Sequence, residues 1–392
     1  VGGGTNGLHN VATLDEALRQ LPDAGGVVEL ATEGPFFLTP TELLNKATIV
    51  IRGMTAVRPL VVLVADPDQP YDTLLKVSNG ALTLEGLHVL VYARQFATSD
   101  PLTLISVRGG DLAAVNCSFT LKGTRAGKTF VFGAEGKVVR SDAKVSPHCR
   151  LLTRDCVIRG AALGAFQLDQ AMTDLVASNC LFATGSAPVL SLTNHQPLDD
   201  IEPATSKTAP ASGTSKSPGA KAPLKPSVGP ASKGAAPIVP RSLKFLSCSI
   251  LTSSTAFELT PGSDPKPPLT EVTMINSVIA GNTAPQNSPV LLALPGWPQS
   301  PLPKPDQNLY DNLRWTFESS LICGWQKLIL EEPGSTSVVR TGGDWKRDWR
   351  NQPMLDESQF QAIAWPKTPL VDLVSAKGSD FVVPADAGVK ST

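Results

Sequence analysis

Apolar and polar positions along the chain recur as one octet. It reads LTLEGLHV from Leu82, LAAVNCSF from Leu112, LLTRDCVI from Leu151 and LVASNCLF from Leu175. It returns as LKFLSCSI from Leu243, VTMINSVI from Val272 and WTFESSLI from Trp315. Positions one and three are mostly apolar and share one side of a period-2 strand. Positions six and eight also read as inward, although six has the opposite parity, so one residue must break the alternation. Position five is Gly86, Asn116, Asp155, Asn179, Ser247, Asn276 or Ser319. Such residues suit a sharp bend, and Asn and Gly tolerate left-handed backbone. Each octet therefore predicts a short strand, a bend and a second short strand.

A further strand signal precedes most octets: Leu74–Val77, Leu104–Val107 and Ala165–Leu168, followed by turn compositions such as SNGA and RGGD. Octet starts lie 30, 39 and 24 residues apart from Leu82 to Leu175, then 29 and 43 from Leu243 to Trp315. Repeats of this length with several short strands predict a solenoid or a propeller. The 24-residue interval is too short for a four-stranded blade and suits one turn of a three-stranded coil. Longer intervals then hold loops. Upstream, Leu14, Ala17, Leu18 and Leu21 have helical spacing within Ala12–Leu21, and Val27–Leu30 begins a strand.

These octets, with a helix ahead of the first strand, resemble the coils and cap of the right-handed parallel β-helix, pectin-lyase-like superfamily. The resemblance implies an all-β solenoid of roughly eight to ten coils with a short N-terminal capping helix. It covers most of the chain outside a central insert and the last fifty residues. The strand style also resembles non-catalytic β-helix regions of large planctomycete-type bacterial proteins, some carrying a kinase domain. The expected organisation is a cap over 1–26, coils over 27–196, an insert over 197–240, coils over 241–330, and a C-terminal cap and tail over 331–392.

Composition narrows the function classes. The chain has 392 residues, 42% hydrophobic and 18% charged, enough apolar surface to exclude wholesale disorder. The formal net charge of −1 provides no global field for nucleic acid, and no apolar run is long enough to span a membrane as a helix. The six cysteines form no C-x-x-C pair, so no metal site or cofactor is expected; the four in octets read as a column of small buried side chains. The Pro-, Ala-, Ser- and Lys-rich stretch 197–240 predicts a disordered loop.

Two groups are candidate sites. Arg154, Asp155 and Arg159 share one coil and Asp174 lies in the next; a lyase or hydrolase would draw its acids and bases from such a set, with Arg154, Asp155 and Asp174 as catalytic candidates. The polygalacturonase-like pattern that the resemblance would bring is missing: there is no N-x-D with a following D-D, and the one D-D pair, Asp199–Asp200, sits in the insert. The second group is GGDWKRDWRNQ, where Trp345 and Trp349 alternate with Arg347 and Arg350; aromatic faces beside cations grip sugars, and the same residues suit a solenoid cap. The expectation is a monomeric, non-catalytic module that binds or displays a polysaccharide or another envelope component outside the cytoplasm. The alternatives are a polysaccharide lyase or glycoside hydrolase, and a spacer in a larger protein such as a bacterial kinase.

Overall fold

The computed structural model describes residues 10–65, 71–96, 100–135, 149–168, 173–192, 240–261, 269–282, 289–297, 310, 312–325, 327–330, 345 and 360–361. Residues 197–239 of the expected insert fall outside them. Three parallel sheets run the length of the coil region, with nine, ten and nine strands, and each strand pairs with the equivalent strand of the coils before and after. The described residues form a right-handed parallel β-helix of nine coils, with one further rung, Phe360–Gln361, at the end of the second sheet.

Coils are numbered by their first-sheet strands. These are Gly26–Leu30, Thr48–Gly53, Ala81–Glu85, Leu112–Val115 and Cys149–Arg154 for coils 1–5. Thr173–Ser178, Arg241–Leu246, Thr270–Ile275 and Leu313–Glu318 begin coils 6–9. Helix α1 spans Leu14–Arg19 and buries Leu14, Ala17 and Leu18; it starts two residues later than the apolar spacing predicts because Thr13 is its N-cap, with Oγ1 accepting the Glu16 amide at 3.2 Å. Coils 1 and 2 show no octet because a loop separates their first two strands.

The bend is where the octet places it. All seven fifth-position residues have positive φ, from 47° at Ser319 to 67° at Gly86. This turn lets position six point inward as position one does. The sixth side chain also has polar work, which explains why Cys and Ser interchange there. Cys156 Sγ donates to the Arg154 carbonyl at 3.3 Å, and Cys248 Sγ to that of Leu246 at 3.4 Å. Ser277 and Ser320 donate likewise to Ile275 and Glu318, both at 2.9 Å. Each also reaches the preceding coil, as Ser277 does to Phe245 O at 3.3 Å and Cys248 to Ala177 O at 3.4 Å. A short donor with little bulk serves the corner in coils 4–9, whereas coil 3 fills it with Leu87; thiols make these bonds weakly, hydroxyls more strongly.

Inside, aromatic rings stack from coil to coil. Phe119, Phe132, Phe166, Phe182, Phe245, Phe257 and Trp315 follow one another with centroid separations of 4.9 to 6.2 Å. Trp345 continues the series, 5.9 Å from Trp315 and 6.0 Å from Phe317.

Candidate functional site

The outer face of the third sheet carries a continuous polar column. One outward residue per coil stands in register: Glu42, Lys76, Ser106, Gly133, Gln167, Ser191 and Glu258 in coils 1–7. Adjacent members lie about 4.8 Å apart, the rung spacing of a parallel sheet. Ser106 and Ser191 form a recessed floor, whereas Lys76, Gln167 and Glu258 are more accessible. At the coil 1 end, Glu42 lines a cavity of 320 Å³ together with Arg19, Thr41 and Lys46.

The column is tied by contacts that cross rungs. Lys76 Nζ lies 2.7 Å from Glu135 Oε2, and Ser106 Oγ donates to Glu135 Oε1 at 3.0 Å. Lys128 Nζ pairs with Glu258 Oε2 at 2.8 Å. Thr103 of coil 3 donates through Oγ1 to Gln167 Oε1 of coil 5 at 3.0 Å, passing over coil 4. That crossing explains Gly133: a Cβ there would stand 2.8 Å from Thr103 Cγ2 and 3.3 Å from Ser106 Oγ. The arrangement fixes the orientation of the Gln167 amide and holds both carboxylates against ammonium groups.

The candidate catalytic residues belong to the first sheet and its bend, where Arg154 and Asp155 meet and Asp174 stands apart. Arg154 Nε is 3.6 Å from Asp155 Oδ2, with both side chains about half exposed at 59% and 45%. Asp155 stands at the bend and accepts a 2.6 Å bond from Asn179 Nδ2. In register, Asp174 faces Arg150 while Arg154 faces Ser178, so Asp174 and Arg154 sit at opposite ends of neighbouring strands, about 13 Å apart at the usual rise per residue. Arg159 points from the second sheet and donates through Nε to Thr120 Oγ1 at 3.2 Å.

Trp345 is buried, with 4% of its surface exposed, and its ring packs edge-on against Trp315. In this position it fills the end of the interior. Trp349, Arg347 and Arg350 lie outside the described residues, as does Asp199–Asp200.

All six cysteines are buried free thiols. Burial pushes Cys149 and Cys323 up to about 12, with the Asp111 charge adding to the effect at Cys149. No group of three or more His, Cys, Asp and Glu side chains suited to a metal ion occurs among the described residues. Nor is any described helix long and apolar enough to cross a membrane.

The third-sheet column was not visible as a site in the sequence. Its members are Glu, Lys, Ser, Gly and Gln scattered through strands outside the octets, and only the register aligns them. No protein-family model matches this chain, and no curated protein matches it.

Proposed function

We propose that this chain is a non-catalytic β-helix module that binds a polysaccharide along the outer face of its third sheet. The observation carrying this reading is the seven-coil column on the third sheet, in which Ser106, Gln167 and Ser191 stand in register between charged residues, Glu258 is paired with Lys128, and Lys76 is paired with the neighbouring Glu135. A polymer of hydroxyl-bearing units offers a matching row of donors and acceptors. We place the module with the pectin-lyase-like β-helices, in a larger bacterial envelope protein. Glycosidic cleavage asks for two carboxyl groups about 5–9.5 Å apart across one bond. The backbones of Glu135 and Glu258 stand three rungs apart, about 14 Å at the parallel-sheet spacing.

Affinity electrophoresis against neutral and acidic polysaccharides, with parallel assays for reducing and unsaturated ends, tests the proposal. The expected result is retention by at least one polysaccharide without product release. Gln167→Ala should weaken retention about five- to tenfold, as loss of one well-placed hydrogen-bonding group does. Product release, or retention unchanged by Gln167→Ala, would overturn the reading.

A further inference from the structure

A second set of polar side chains converges elsewhere, where the first sheet turns into the second. His88 of coil 3 and Ser118 of coil 4 are register neighbours on the outer face, with His88 Nδ1 2.6 Å from Ser118 Oγ. Arg159 of coil 5 stands beside Thr120 in the adjoining outward column and is held by Thr120 Oγ1. Arg58, from the loop of coil 2, crosses coil 3 to donate to Asn116 Oδ1 at the coil 4 bend. Two guanidinium groups, an imidazole and two hydroxyls from four successive coils thus meet at one corner. Arg58 and Asn116 are exposed and His88 is half-buried.

We propose that this corner is an oxyanion-binding site, taking a carboxylate, sulfate or phosphate group. Guanidinium forks match planar and tetrahedral oxyanions, and the Thr120 hydroxyl, whose oxygen accepts from Arg159, and an imidazole N–H complete the donor set. Burial, Arg58 and Arg159 all lower the His88 pKa, which keeps the ring neutral at pH 7. In the tautomer whose Nδ1 accepts from the Ser118 hydroxyl, Nε2 carries the hydrogen and is a donor. The same surroundings argue against Ser118 as an activated nucleophile. A general base must accept a proton, and two neighbouring cations oppose formation of the imidazolium. The site lies on a different sheet from the polysaccharide column, so either can fail without the other.

The test is the His88 imidazole resonance, assigned with His88→Gln and followed by NMR across pH at constant ionic strength. Titrants are inorganic sulfate, inorganic phosphate and a galacturonate trimer, on the full chain and on Arg58→Ala. Because Arg58 is an exposed loop residue, that variant should keep the amide spectrum of the parent. A bound anion should raise the His88 pKa saturably, and Arg58→Ala should weaken saturation at least fivefold. Saturation by the inorganic ions alone identifies a free-anion site; saturation by the trimer assigns the site to an acidic sugar. An absent or unsaturable response to all three, or equal saturation in Arg58→Ala, would overturn the proposal.

Discussion

Replacing Asn179 with Gly, Ala or Val should destabilise the protein in that order, the reverse of the order expected in an extended strand. Asn179 has φ of 50° and donates to Asp155 Oδ1 at 2.6 Å. Glycine adopts this conformation without steric cost, so Asn179→Gly loses the side-chain bond and gains unfolded-chain entropy, about 1–2 kcal/mol together. Alanine loses the same bond and takes on the left-handed penalty, for about 2–3 kcal/mol in all. Valine adds β-branched crowding and should exceed about 3 kcal/mol. In an ordinary strand Val would be the most favourable of the three, on a scale spanning about 1 kcal/mol. Urea denaturation followed by far-UV circular dichroism reads the order directly. A Val variant as stable as the Gly variant would refute the claim that a left-handed residue sets the corner.

Three further outcomes follow from the same geometry. Gly110→Ala should prevent folding, because its Cβ would lie 1.8 Å from the Gly80 carbonyl oxygen, whereas Gly86→Ala meets nothing within 4 Å and should cost only the left-handed penalty of about 1–2 kcal/mol; soluble yield and urea midpoints separate the two. Stability should fall as pH rises from about 9 towards 12, since the unfolded thiols of Cys149 and Cys323 ionise near the ordinary value of 9.0 while the folded ones stay protonated up to about 12. The double variant Cys149→Ala/Cys323→Ala should flatten that slope, measured by urea midpoints at pH 8 to 10.5, and an unchanged slope would count against the burial of these thiols. Replacing residues 197–238 by a short Gly–Ser linker should leave the fold intact, because coil 7 pairs with coil 6 in all three sheets without them; loss of the far-UV β signal would contradict this.

The fold was legible because one bend in each of seven coils is written in residue types. Asn116, Asp155 and Asn179 mark a backbone conformation that few residues adopt, and the parity switch after them reveals two strands. Coils 1 and 2 were harder to read because loops interrupt the octet, leaving Thr48–Gly53 without its signature. The site was barely legible. Arg154, Asp155 and Asp174 are close in sequence terms, yet strand direction separates Asp174 from the other two by most of a strand. Ser106, Gly133 and Gln167 are adjacent only through pairing between coils, and Gly133 acquires its meaning from the Thr103–Gln167 bond passing over it. His88 and Ser118 likewise lie 30 residues apart and meet through register alone. Trp345 read both as part of a cap and as an aromatic among cations, and its ring packs on Trp315 and Phe317.

The most direct test of the binding account is a lysine-acylation footprint, read by mass spectrometry, with and without a retained polysaccharide. Lys76 is the coil 2 member of the third-sheet column and Lys128 pairs with its Glu258, whereas Lys244 is exposed on the first sheet. The account predicts that the polysaccharide protects Lys76 and Lys128 and leaves Lys244 as reactive as before. Protection of Lys244 with no change at Lys76 and Lys128 would place the ligand on another face and contradict it.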